Sequence, residues 1–187
     1  MAKGSGGTRG ASGGGGRSSG GGIVSRESQI KNSPTEKASI FDEKGNELFR
    51  NDDGDATSVS FAPGRDKLKG NIYTHNHPSG SSFSERDLVV AATYGVKEMR
   101  VVTKNITYSI KSSKYQWGLS GKDKQGAIGV AWSDAKKAAT SRLKDYVFSY
   151  KGNKQQALDR ADRIMNHMVV KMVAKKFGWE YTKTKTK

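Results

Sequence analysis

Up to about residue 120 the apolar positions of this chain come in short runs or alternate with polar ones, and beyond Gly121 they recur at steps of three and four. The first pattern is that of strands and the second that of amphipathic helices. Ala38 and Ile40 in EKASIFD predict a short strand, Glu43-Lys44-Gly45-Asn46 a turn, and ELFR the second arm of a hairpin. Asn51 to Asp55 (NDDGD) is turn chemistry. Thr57 to Ala62 (TSVSFA) alternates with Val59 and Phe61 on one face, which predicts a strand, and Asn71 to Thr74 predicts another. Ser84-Glu85-Arg86-Asp87 then opens the apolar run LVVAATY as a helix N-cap does, and Gly95 stands where that helix should end. MRVVT and NITYSIK predict two more strands around a turn at Lys104-Asn105, with Tyr115 to Leu119 able to add a third.

In the helical half, Trp132, Ala135, Ala139, Leu143, Tyr146 and Tyr150 mark one stripe, and Leu158, Ala161, Met165, Met168 and Met172 a second. The short link Lys151-Gly152-Asn153 predicts an antiparallel helical hairpin. The closing TKTKTK reads as a frayed end. At the other end, Met1 to Gly22 is Gly, Ser, Thr and Ala with scattered basic residues, too poor in apolar surface to offset chain entropy. Residues 23–34 read as a lead-in ending at Pro34. The expected organisation is a flexible basic tail over 1–33, an α/β domain over 34–120, and a basic helical hairpin with a C-terminal tail over 121–187.

Composition narrows the chemistry. The chain has 187 residues and no cysteine, so disulfides, thiolate metal sites and cysteine nucleophiles are excluded, and any metal must be held by His, Asp or Glu. No 18-residue apolar run and no N-terminal apolar core are present, which predicts a protein without a membrane span or signal peptide, cytoplasmic unless carried in a virion. The net charge of +15 is unevenly placed: residues 101–187 hold 19 basic and 6 acidic residues, whereas residues 36–100 hold 9 and 11. Such a C-terminal half attracts polyanions without reading sequence, so non-specific nucleic-acid contact is one expectation and a solvated face the other.

The chemistry concentrates in THNHPSGSSFSERD, residues 74–87. His75 and His77 are alternate residues at the end of a strand, and both imidazoles reach one ion if the chain bends at Asn76, ahead of Pro78 and Gly80. With Asp87 from the first turn of the next helix they make a two-nitrogen, one-oxygen set that leaves a tetrahedral zinc one open position, as catalysis requires. Ser84 and Asp87 equally suit the cap and third residue of an ordinary helix start, so the histidines alone leave the site open.

The whole string, His-x-His-Pro followed by a loop and Ser-x-x-Asp, resembles the JAB/MPN (JAMM) metallopeptidase signature. His75-Asn76-His77-Pro78-Ser79-Gly80 in particular is similar to the RadC-type bacterial branch and to JAB-like domains of phages and mobile elements. The resemblance covers about residues 34–112. It implies a cytidine-deaminase-like mixed sheet with flanking helices, Zn2+ held by His75, His77 and Asp87, and hydrolysis of an amide or isopeptide bond in a protein or peptide substrate. It also implies that Glu36, ahead of the first strand, takes a proton from the zinc-bound water and returns it to the leaving amine. Ser84 corresponds to the family's serine, a donor to the developing oxyanion. Glu43 and Glu47 are the rivals of Glu36. One departure stands out: five residues separate Pro78 from Ser84, one fewer than the family spacing, so the loop over the site is tighter. His167 and the three tryptophans read as structure. The alternative to an enzyme is a JAB-fold binding or structural protein of a phage or mobile element, weak or inactive in catalysis, docking through its basic regions.

Overall fold

The computed structural model describes residues 21–119, 123–149 and 151–187. The expectation of a flexible tail over residues 1–20, and the positions of Gly121 and Tyr150, lie outside these. The described chain runs α1 (Gly21–Ile30), β1 (Ala38–Phe41), β2 (Glu47–Asn51), β3 (Ile72–Asn76), α2 (Glu85–Tyr94), β4 (Glu98–Val102), β5 (Ile106–Lys111), α3 (Lys124–Ser149), α4 (Lys154–Phe177) and β6 (Glu180–Lys185). One mixed sheet holds the six strands in the order β2-β1-β3-β4-β5-β6. Only β3 and β4 are parallel, and α2 connects them. That is the connection a parallel pair requires, since a tight turn cannot join two strands running the same way. The protein is thus of the mixed α/β class.

Strand alternation gives the sheet two different faces. Ile40, Tyr73, Met99 and Ile110 align across four strands and belong to the apolar core with Leu88 and Ala91 of α2. Ile128, Ala131, Ala135 and Ala139 of α3 and Val169, Val170, Val173 and Ala174 of α4 enter the same core. The helical hairpin is present as expected, but its root is part of the one core rather than an appendage. The buried stripe of α4 includes Ala157 and the valines, while Leu158 is exposed and Met165, Met168 and Met172 are only partly buried.

The opposite face carries the polar row Ser39, Thr74, Arg100 and Ser109, aligned by the same register. Helix α1 satisfies it. Arg26 Nε donates to Ser39 Oγ at 3.0 Å, and Glu27 accepts from Thr74 Oγ1 at 2.9 Å and from Arg100 through two nitrogens at 2.7 and 3.0 Å. A buried carboxylate keeps its charge only with such partners, and removing one side of a buried pair costs about 3–5 kcal/mol. Residues 21–30 are therefore a structural helix, and the expectation of a tail and lead-in reaching residue 33 is corrected there.

Three further expectations fail. TSVSFA is not a strand: the Asp55 carboxylate accepts the Thr57 and Ser58 backbone N–H groups at 2.7 and 2.8 Å, curling the segment out of a ladder. The TKTKTK end, residues 182–187, is not frayed over most of its length: residues up to Lys185 belong to β6, paired antiparallel with β5 from Ile106↔Lys185 to Lys111↔Glu180. Tyr115–Gly118 is a 3-10 turn instead of a third strand. Among the described residues no helix is long and apolar enough to cross a membrane.

Candidate metal centre

The site lies where β3 leaves the sheet. His75 pairs with Val101 of β4, and the His77 backbone N–H continues that ladder to the Val102 carbonyl at 3.1 Å. The chain stays extended through Asn76, so the expected bend there is not needed: residues two apart in a strand share a face, and both imidazoles project toward α2 by alternation alone. The turn comes afterwards, where Gly80, at φ 77°, donates its N–H to the His77 carbonyl at 3.0 Å. Such a φ favours glycine.

Glu36 arrives by the same logic from the neighbouring strand. Ala38 lies opposite His75 in the antiparallel β1–β3 pair, so one step beyond the ladder Glu36 lies opposite His77. Asn76, between the histidines but facing the other way, clamps that segment. Its Oδ1 accepts the Lys37 N–H at 2.7 Å, and its Nδ2 donates to the Thr35 carbonyl at 3.0 Å, on either side of Glu36. Asn76 is a positioning residue that the sequence reading missed; a polar residue facing away from two candidate ligands was the available signal.

Asp87 comes from α2. Ser84 caps that helix: its Oγ accepts the Asp87 N–H at 3.2 Å and donates to Asp87 Oδ2 at 2.8 Å, and the Ser84 N–H reaches the same oxygen at 2.7 Å. This reciprocal box fixes the carboxylate. Gly95, left-handed at φ 64°, ends the helix as expected. The single hydroxyl hydrogen of Ser84 is engaged with Asp87, so donation to an oxyanion would require it to turn away.

These side chains converge. His75 Nε2 and His77 Nε2 are 3.0 Å apart, Asp87 Oδ1 is 3.4 Å from the first and Asp87 Oδ2 3.6 Å from the second, and Glu36 Oε1 is 3.8 Å from His77 Nε2. Glu36, His75 and His77 are all buried and offer ligand atoms within 4.8 Å of one another, close enough to bind a metal ion. Donors about 2.0–2.2 Å from a tetrahedral ion stand about 3.3–3.5 Å apart, so the two imidazoles and Asp87 fit one ion with shifts of a few tenths of an ångström. Tyr73 stacks on the His75 ring, with centroids 5.2 Å apart. The His77 Nδ1–H donates to the Ser82 carbonyl at 3.0 Å. Because a carbonyl only accepts, this assigns the proton to Nδ1 and leaves the Nε2 lone pair aimed at the shared point. His75 Nδ1 is buried without a hydrogen-bond partner among the described residues, so a proton on His75 sits at lowest cost on Nε2, toward His77.

Electrostatics separate the two carboxylates. Burial works against the Asp87 charge, but the adjacent His75 and His77 and the Ser84 N–H outweigh it and hold Asp87 below the usual range. Glu36 lacks those partners: no hydrogen bond reaches its carboxylate among the described residues, and burial, opposed by His75 and aided by Asp87, pushes it up to about 7. Burial, with the nearby His75, pushes His77 down to about 4, keeping it neutral and available as a ligand at ordinary pH. The rivals are accounted for elsewhere, Glu47 by Arg50 at 2.7 Å and Glu43 by Lys97 at 2.5 Å.

The Glu36 shift has a measurable sign in the metal-free protein. An ordinary glutamate releases its proton near 4.5, and folded Glu36 holds it to about 7. The raised folded value means that this group's stabilisation is full below 4.5 and is lost as pH climbs through about 7. Metal-free Glu36→Gln, neutral throughout, should match the parent at pH 4 and exceed it at pH 8 by roughly 2–3 kcal/mol. Urea unfolding with chelator present at the two pH values checks this. A difference independent of pH would assign the effect to packing.

The three protein ligand candidates and Glu36 line a pocket of about 420 Å³, with the TSVSFA segment and Arg65 forming much of its other wall. From the side of the helical hairpin, Tyr181 of β6 braces the site loop: its hydroxyl lies 2.7 Å from Ser82 Oγ and 2.7 Å from His167 Nδ1. His167, a structural residue by sequence, is that. Comparison with protein-family models, curated proteins and solved structures finds no match to this chain.

Proposed function

We propose that the chain is a metal-dependent hydrolase of the JAB/MPN type, acting on an amide or isopeptide bond with zinc as the ion. The observation that carries this reading is the convergence of His75 Nε2, His77 Nε2 and the Asp87 carboxylate within 3.6 Å, beside a Glu36 carboxylate that no hydrogen bond occupies among the described residues. A bound zinc supplies Lewis acidity, polarising a substrate carbonyl and lowering the pKa of water toward neutrality.

The protein side chains divide the remaining work. Asp87, charged and held by Ser84, suits a ligand. Glu36, farther from the imidazoles and titrating near 7, suits a group that accepts a proton from the attacking water and returns it to the leaving amine. Asn76 keeps Glu36 over the site by holding the backbone on both sides of it. Ser82 fixes the His77 tautomer through its carbonyl. The pocket is lined by Ser58 and Ser60 of the TSVSFA segment and by Ser81 of the site loop, whose hydroxyls can bond a peptide backbone.

The test is a panel of linear and isopeptide-linked peptides incubated with zinc-reconstituted protein, read by mass spectrometry. Cleavage abolished by chelator and restored by added zinc is expected. Zinc-loaded protein that cleaves nothing across the panel would turn the reading toward a binding protein with the same fold.

A further inference from the structure

A second groove, of about 870 Å³, lies on the other side of the site loop. Its five basic residues come from four places in the fold: Lys31 after α1, Lys104 in the β4–β5 turn, Arg160 and Arg163 on α4, and Lys183 on β6, with His167 beneath. No carboxylate lines it among the described residues. Elsewhere on the surface some cations are paired, Lys97 with Glu43 and Lys111 with Glu180, and isolated ones such as Lys136 and Lys137 are not, among the described residues; what sets the groove apart is that its cations come together from separate elements. Here Lys104, Arg160, Arg163 and Lys183 form no ion pair among the described residues, and Lys31 Nζ donates to the Lys187 carbonyl. Bringing like charges from separate elements into one groove raises the free energy of the fold unless an anion compensates.

The groove and the metal pocket share a wall. Pro78, Ser79 and Gly80 line the groove, Ser79 also lines the pocket, and a β-carbon at Gly80 would lie 3.8 Å from Arg163 Cδ. An anion bound there is therefore next to whatever occupies the pocket. Two features bear on the choice of anion. The groove's one tyrosine, Tyr108, is buried, so no exposed aromatic ring offers the stacking platform that single-stranded nucleic acid uses. Arg160 and Arg163, three apart on one helix face, present two guanidinium forks, which pair bidentately with carboxylates as they do with phosphates, so the choice of a peptide rests on the missing stacking platform.

We propose that this groove binds an acidic stretch of the polypeptide substrate, Asp- or Glu-rich, on one flank of the bond presented to the metal pocket. The inference rests on the hydrolase reading for the word substrate, but its ligand chemistry stands on the groove alone. It makes the helical hairpin and β6 a specificity surface.

The experiment uses the full chain, metal-free in chelator, so that binding is measured without turnover. Fluorescence anisotropy at low salt follows a labelled hexaglutamate peptide, a neutral peptide of equal length, and an oligothymidylate of equal charge. The acidic peptide should bind and the neutral one should not. Arg160→Glu combined with Arg163→Glu should weaken acidic-peptide binding about tenfold or more. Lys136→Glu with Lys137→Glu, the same charge change at exposed positions of α3 outside the groove, should leave it nearly unaltered. Equal losses from the two double variants would reduce the effect to net charge and overturn the proposal. So would an oligothymidylate that binds the parent more tightly than the peptide and loses its affinity in the Arg160/Arg163 variant. Acidic-peptide binding without cleavage of any substrate would remove the hydrolase reading and leave the groove. Equal cleavage of acidic and neutral substrates would do the reverse.

Discussion

Glu36→Gln is expected to retain its zinc and lose turnover by about a hundred- to ten-thousandfold. Glutamine keeps the size and polarity of the side chain, and the Asn76 clamp acts on the backbone of Thr35 and Lys37, which the substitution does not touch. What disappears is a basic oxygen, 3.8 Å from His77 Nε2 and without a hydrogen bond among the described residues. Elemental analysis and turnover on the same preparation separate the outcomes. A variant that loses zinc as well would make Glu36 a ligand, an arrangement its place among three donors within 4.8 Å permits. Undiminished turnover would remove it from the mechanism altogether.

The second large effect falls on the ion itself. His77→Ala should lower zinc affinity by more than a hundredfold, since loss of a mere outer partner of a ligand already costs about ten- to a hundredfold. The parent should bind one zinc per chain, and stoichiometric, equally tight zinc in His77→Ala would exclude the site as described. Asp87→Ala is a subtler case. Its removal also unseats Ser84 from the capping box, but Glu36 is close enough to fill the vacated place. The expected result is weakened zinc and no turnover, because the one residue suited to carry the proton has been drawn onto the ion. Titration of each variant with zinc against a competing chelator measures both.

The convergence of the candidate ligands was legible in the sequence because its geometry is local. Alternation puts His75 and His77 on one face, and a helix cap fixes Asp87 by contacts spanning three residues. What the sequence hid depends on partners distant along the chain. Helix α1 looked like a lead-in because Ile23 and Ile30 are its buried apolar residues, and its other buried contacts are the charges of Arg26 and Glu27. Those charges make sense only against Ser39, Thr74 and Arg100, which are polar residues facing inward on a strand surface. In TSVSFA the alternation was real, since Val59 and Phe61 do pack against the core, but the Asp55 side chain took the backbone hydrogen bonds that a strand would have needed. The Thr–Lys repeat of β6 hid for the opposite reason: its stability lies in main-chain pairing to β5, and its side chains are mostly exposed. The basic groove could not be read at all, because its cations come together only after four separate parts of the fold are in place.

The pairing of β5 with β6 also sets an order of events during synthesis. All of α3 and α4 lies between these neighbours, so β5 emerges from the ribosome as an uncovered sheet edge and stays one until residues 180–185 follow. Contacts of such long sequence separation form late, and an open edge is meanwhile available to other chains. Tyr181, which braces Ser82, and Trp179, whose indole N–H bonds the Trp117 carbonyl at 2.8 Å, arrive in that same last segment. The site loop therefore stays unbraced until that segment is in place, and the candidate metal site should be completed late in folding.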